Sequence, residues 1–227
     1  MRVFGVLILA GAFVGVVGCK TNKPVPEATP TTATTAPAPE ASQDTRPLLV
    51  CFGDSLTAGY GADPGSSYPD FLQKDLDTAG YLYRVVNEGV SGNTTKDGVE
   101  RLPGVIAMHP AAVIVEFGGN DGLRGLKVQI TRENLATIIS GIKASGAKVL
   151  IAGISLPPDF GPDYVSTFTA NYASLAKQFN VPLYPFMLKD VYGIDGMMQA
   201  DRTHATNAGN EIVARNVMAA VTPLLHK

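Results

Sequence analysis

Residues 48–55 read Leu48-Leu49-Val50-Cys51-Phe52-Gly53-Asp54-Ser55. Five consecutive apolar residues closed by a glycine are too short for an ordinary helix and fit a strand buried on both faces. Such strands belong to parallel sheets, which need crossover segments, normally helices, to bring the chain back. Cys51 lies inside the run and reads as a small buried hydrophobe.

The chain downstream has the alternation that this strand demands. Phe71, Leu72 and Leu76 recur at helical spacing within 68–79, and Gly80 can close that helix. A second strand is expected over 83–86. Val99, Leu102, Val105 and Ile106 mark a helix that Pro103 breaks or kinks, and His109-Pro110 forms a turn. A third strand covers 112–117 and stops at Gly118-Gly119. A helix runs from about Thr131 to near Gly146, with Leu135, Ile138, Ile139 and Ile142 on one face. Strand four spans 148–153, a loop passes through Pro157 and Pro158, a helix covers 164–179, a short fifth strand 181–184, and a closing helix 208–225. Strands alternating with helices predict a three-layer α/β/α sandwich around a five-stranded parallel sheet, flavodoxin-like in class. Ligands in such sheets bind beyond the carboxyl ends of the strands, so the strand-end loops are where chemistry is sought.

Upstream of the strand the chain changes character. Met1-Arg2 precedes an uncharged apolar run from Val3 to Val17, the pattern of a secretory leader, too short for a comfortable membrane span. The run ends Val16-Val17-Gly18-Cys19, which resembles a bacterial lipobox; the resemblance implies cleavage before Cys19 and lipidation of its sulfur, the alternative being an uncleaved signal anchor with an incidental cysteine. Several acyl chains make a stable membrane anchor. Lys20, rather than Asp, follows the cysteine, which by resemblance to Gram-negative lipoproteins permits export to the periplasmic face of the outer membrane. Residues 20–46 are rich in Pro, Thr, Ala and Glu and cannot bury enough apolar surface to fold, so an extended tether is expected. The predicted organisation is a leader over 1–18, a lipidated cysteine and linker over 19–46, and one folded domain over 47–227. A monomer is expected, with no disulfide between Cys19 and Cys51.

Composition narrows the function classes. Of 227 residues, 45% are hydrophobic and the net charge is −2, with no long basic block. That charge does not provide the electrostatic footprint of a nucleic-acid binder, and without Trp there is no stacking platform for single strands. There is no HExxH, CxxC or His-rich cluster to hold a metal, and no GxSxG elbow. Gly59, Gly61 and Gly65 mimic a dinucleotide loop, but their spacing is one residue too long. No cofactor is expected.

Four strand-end segments carry reactive groups. The first is Gly53-Asp54-Ser55-Leu56-Thr57-Ala58-Gly59-Tyr60; the second, Ser91-Gly92-Asn93-Thr94, has a glycine whose N–H nothing obstructs. The third is Gly118-Gly119-Asn120-Asp121-Gly122, and the fourth is Asp201-Arg202-Thr203-His204 before the last helix. Singly, Ser55 reads equally as a helix cap, Asn120 as a turn asparagine and Gly92 as a turn glycine. Together they offer a hydroxyl, a backbone donor, an amide donor and an Asp-His pair, the parts required for acyl transfer. His109 precedes a proline at the wrong end of strand three and His226 sits in the tail; neither has an aspartate at suitable spacing.

These four blocks, in this order, resemble the SGNH (GDSL) hydrolases, and in detail the bacterial thioesterase, lysophospholipase and arylesterase group, from about Leu48 to the last helix. The third block reads EFGGNDGLRG over 116–125. The resemblance implies that Ser55 is the nucleophile, His204 the base and Asp201 its orienting carboxylate. It implies an oxyanion hole of the Ser55 and Gly92 N–H groups with the Asn120 side chain. Ile154, Leu156 and Pro157 correspond to the group's substrate loop, though they read equally as core edge. The substrate implied is a small acyl ester or lysophospholipid. Other readings on the same scaffold are removal of acetyl groups from envelope polysaccharide, acyl transfer, or a non-catalytic lipid-binding lipoprotein. The chain departs from the group in carrying Arg202 where glycine is usual and Ala205 where proline is usual, which puts the rigidity of that loop in question.

Overall fold

The computed structural model describes residues 44–227; the leader, the lipobox with Cys19 and most of the linker lie outside the described residues. Five strands, β1 (Leu48–Gly53), β2 (Arg84–Gly89), β3 (Ala112–Glu116), β4 (Lys148–Ala152) and β5 (Leu183–Tyr184), form one sheet in the order β2-β1-β3-β4-β5. Every pairing is parallel. The helices are α1 (Ser55–Ala58), α2 (Tyr68–Thr78), α3 (Thr95–Ala107), α4 (Gly119–Leu123), α5 (Val128–Ala144), α6 (Pro162–Phe179) and α7 (Asn207–Val221). The expected α/β sandwich with its five-stranded parallel sheet is therefore the observed fold.

Right-handed crossovers put α2, which steps from β1 to β2, on one face, where α7 packs against it. The crossovers stepping the other way put α3, α5 and α6 side by side on the opposite face. Strand order reverses at β1, so the crevice between the β1 and β3 ends is the switch point of the sheet. The core is the middle of that sheet: Val50, Cys51, Phe52, Val113, Ile114, Leu150 and Ile151 are all buried. Each large aliphatic or aromatic side chain there contributes about 1.5–3 kcal/mol of transfer free energy. Cys51 forms no disulfide among the described residues, and burial pushes its thiol up to about 12.

Three elements differ from the sequence reading. The second strand runs on to Gly89, with Asn87 and Glu88 still in register with Cys51 and Phe52. β2 is the sheet edge and half-exposed, so polar residues are tolerated and the apolar signal ends before the strand does. The helix around Pro103 is not broken: α3 is continuous, nucleated by a capping box between Thr94 and Asp97 that precedes the first apolar residue. It is held along its length against its neighbours, with Gly98 against Ile138 and Phe117, and Leu102 against Gly141. Finally, Ser55 and Asn120 do not sit in open loops but in the first turns of the short helices α1 and α4. Among the described residues, no helix is long and apolar enough to cross a membrane.

Candidate active site

The register fixes where the site forms. Gly53, the last residue of β1, lies level with Gly89 on one side and Glu116 on the other, so all three strands deliver their following segments to one edge. Asp54 turns the chain into α1 as its N-cap, its Oδ1 accepting from the Leu56 N–H at 3.1 Å. Ser55, the next residue, is thereby presented at the sheet edge.

Asp54 does more than cap. Its Oδ2 accepts from Asn120 Nδ2 at 3.1 Å, tying the segment after β1 to the segment after β3. Behind it lies Glu116, fully buried, whose Oε2 accepts from the Asp54 N–H at 3.3 Å and the Thr57 hydroxyl at 2.8 Å. Glu116 Oε1 has no protein partner among the described residues. Burial, reinforced by the neighbouring Asp54 charge, raises the Glu116 pKa well above the carboxylate range. Burial raises Asp54 to about 6, opposed by its hydrogen bonds from Leu56 and Asn120. At neutral pH the consistent assignment is a neutral Glu116 and an ionised Asp54, since an unpaired oxygen is far less costly to bury on an acid than on an anion.

The fourth segment meets the first. His204 Nε2 lies 2.8 Å from Ser55 Oγ, and His204 Nδ1 lies 2.7 Å from Asp201 Oδ2. Asp201 Oδ1 accepts from the N–H groups of Thr203 at 2.9 Å and His204 at 3.1 Å. Partial burial disfavours the Asp201 anion, but the bonds from the His204 side chain and the two backbone N–H groups outweigh it, and the pKa is lowered. An ionised Asp201 accepts the Nδ1 proton, which leaves the Nε2 lone pair facing the Ser55 hydroxyl. The Tyr60 ring tilts against the imidazole at 4.7 Å between centroids.

The loop keeps this geometry without the usual glycine and proline. Met198 and Ala205 form an isolated antiparallel bridge, and the Gln199 N–H donates to His204 O at 2.8 Å. The Gln199 side-chain amide donates to Tyr60 O at 2.7 Å and Ala205 O at 2.9 Å, linking the loop to the turn after α1. Ala205 is buried, while Arg202 takes a left-handed backbone with φ of 56°. That conformation suits glycine and costs other residues about 1 kcal/mol or more.

The remaining predicted residues divide. Asn120 sits at the same edge and donates to Asp54 Oδ2 and, at 3.0 Å, to Asn93 O, so both amide hydrogens are directed at protein acceptors in this resting arrangement. Gly92 follows β2 with φ of 82°, and its carbonyl accepts from Arg124 at 2.9 Å; it is exposed and does not line the adjoining cavity. Ile154, Leu156 and Pro157 do line that cavity, with Ile154 and Leu156 buried. It measures about 910 Å³, within the range of ligand pockets, and reaches from Ser55, Asn120 and His204 to an apolar wall that includes Val165, Phe186 and Leu188.

Sequence reasoning passed over several residues that hold these parts in place. Asp54 was findable as an Asp directly before a short helical turn. Buried Asp121 accepts from the Thr95 N–H at 2.8 Å and the Thr131 hydroxyl at 3.3 Å, fixing α4 to α3 and α5. Arg101 donates to Asn93 Oδ1 at 2.9 Å and to Glu88 O at 2.5 Å and lies over the Phe52 ring, bracing the Ser91–Asn93 segment. Glu116 and Asp121 fall inside the third block, but no local pattern gives them or Arg101 a role, because each acts on a segment distant in sequence. Among the described residues no group of three or more His, Cys, Asp or Glu stands in a metal-holding arrangement.

Known proteins share this architecture. Residues 51–212 match the model of the GDSL-like lipase/acylhydrolase family. The chain is 44% identical to the esterase TesA of Pseudomonas aeruginosa over 78% of its own length and 89% of that protein's. It is 37% identical to the thioesterase 1/protease 1/lysophospholipase L1 of Escherichia coli K12 over 78% and 85% of the two chains. A crystal structure of TesA, 44% identical, superposes with a TM-score of 0.76, covering 78% of this chain and 99% of that one. A switch-point serine bonded to a histidine and its aspartate thus stands in a chain matched along most of its folded length, and the chain belongs to the GDSL-like lipase/acylhydrolase family.

Proposed function

We propose that this protein is a serine esterase that cleaves carboxylic esters or thioesters of apolar acyl chains through Ser55, His204 and Asp201. The observation that carries this reading is the unbroken relay from Asp201 Oδ2 through His204 to Ser55 Oγ, at 2.7 and 2.8 Å, opening onto an apolar cavity. Ser55 Oγ attacks the carbonyl carbon as His204 Nε2 takes its proton, and Asp201 stabilises the imidazolium. The tetrahedral oxyanion is received by the Ser55 and Gly92 N–H groups and by the Asn120 amide, which gives up one of its resting acceptors to do so. His204 then protonates the leaving oxygen or sulfur. Water, activated by the same imidazole, releases the acid from the acyl-enzyme. No step requires a cofactor.

Ile154, Leu156 and Pro157 form the wall against which the acyl chain packs. A cavity of about 910 Å³ with that apolar wall favours medium or long chains over acetyl, which argues for the esterase and lysophospholipase reading over a polysaccharide acetylesterase. The apolar run before Cys19 and the Pro-rich stretch after it support a lipid-anchored protein of the bacterial envelope, on the periplasmic face of the outer membrane.

A chain-length series of p-nitrophenyl esters tests the activity: kcat/KM is expected to rise from acetyl toward medium chains, and a maximum at acetyl would overturn the acyl-chain assignment. Radiolabelled palmitate incorporated by the wild type and lost in Cys19→Ser tests the anchor; equal labelling of both would remove it.

A further inference from the structure

The cavity wall holds one feature that ester cleavage itself does not use. Arg202 is the only Lys or Arg among the residues lining the cavity. Among the described residues its guanidinium has neither a salt bridge nor a hydrogen bond; only its backbone N–H is engaged, with Gln199 O at 3.0 Å. It occupies a left-handed position with φ of 56°, where a side chain is a liability and glycine is the natural choice. A strained, exposed cation in the cavity lining, without a side-chain partner among the described residues, is unaccounted for by stability.

Its position sets which part of the substrate it meets. Arg202 lies two residues before His204, so their Cα atoms are at most about 7 Å apart. His204 delivers the proton to the leaving group, and Arg202 lines the cavity beside it on the same loop. Arg202 therefore flanks the leaving group.

We propose that Arg202 forms a subsite for a phosphate carried on the leaving group, selecting acyl esters of glycerophosphates over neutral esters of the same chain. A guanidinium presents a planar fork of donors matched to phosphate oxygens, and this one stands two residues from His204 in the same cavity lining. Being exposed, the pair is screened by salt, which limits its effect and makes it dependent on ionic strength. The inference rests on the esterase reading and deepens it.

The test compares a lysophosphatidic acid, a lysophosphatidylcholine and a neutral monoacylglycerol with one acyl chain, each below its critical micelle concentration, on the purified wild type, R202K, R202G and R202E. In the wild type, kcat/KM is expected to be about five- to tenfold higher for the phosphate-bearing esters than for the neutral one at low salt. The preference should shrink in 0.5 M NaCl, partly survive in R202K, vanish in R202G and reverse in R202E. The ratio within each variant carries the result, so a general loss of activity from a disturbed loop does not imitate it. A ratio that stays the same across the four proteins overturns the Arg202 subsite while leaving the esterase intact. Absence of turnover on all three esters in the wild type would instead strike the esterase reading itself.

Discussion

The two halves of the site are held by different means. Ser55 and Asn120 stand on short helical turns at the ends of β1 and β3, strands whose central residues are fully buried and whose register is fixed on both sides. Asp201 and His204 ride on a loop whose members are largely exposed, positioned by Gln199, one bridge and the hydrogen bonds of Asp201 to its own neighbours. The nucleophile is placed by the sheet; the base is placed by polar contacts made one at a time. Substitutions in the first half should therefore remove chemistry without loosening the protein, and substitutions in the second should loosen geometry first.

The largest effect is expected from Ser55→Ala, which should lower kcat on a p-nitrophenyl ester by about 10⁴-fold or more while leaving the melting temperature within a few degrees. Asn120→Ala should lower kcat by about 10²- to 10³-fold with little change in KM, because the amide is offered to the oxyanion and not to the ground-state ester; it also removes the resting bonds to Asp54 and Asn93. An equal fall for both ester and thioester substrates would sharpen that assignment, and wild-type turnover would break it. In the loop half, Gln199→Ala removes the link to Tyr60 and Ala205, and about a tenfold loss of kcat/KM with about 1–2 kcal/mol of stability is expected. Urea unfolding beside steady-state kinetics measures both.

Two smaller effects probe the strain that each half carries. Glu116 has a folded pKa above its unfolded value, so the unfolded chain loses the proton near pH 4.3 while the folded protein keeps it. Stability is then fully present below that pH and falls as pH rises toward the folded pKa, by at most about 1.4 kcal/mol per unit for this group. Glu116→Gln should flatten this slope, and denaturant midpoints from pH 4 to 8 in both proteins would show it; parallel curves would contradict the neutral assignment. The smallest effect is in the exposed loop, where Arg202→Gly should raise stability by about 0.5–1 kcal/mol, less the extra freedom glycine gives the unfolded chain, read as a small rise in melting temperature.

The same contrast explains what could be read from the chain alone. Strands β1, β3 and β4 were legible because burial on both faces writes an uninterrupted apolar run, and the four reactive segments followed from where those runs stop. The end of β2 was not legible, since an edge strand need not be apolar, and the continuity of α3 through Pro103 was hidden because its start is signalled by Thr94 and Asp97 rather than by periodicity. Within the site, residues acting on their own loop could be identified, as with Asp201 and His204. Glu116, Asp121 and Arg101 could not, because their partners are brought to them only by the crossovers of the folded sheet.

The most direct measurement of the account is fluorophosphonate labelling followed by peptide mapping, carried out on the wild type and His204→Ala. A single adduct on the Ser55 peptide, formed at least about a hundredfold more slowly in the variant, is the predicted result, since the hydroxyl depends on the Nε2 lone pair 2.8 Å away. Labelling at another residue, or at Ser55 with the same rate in both proteins, would contradict it.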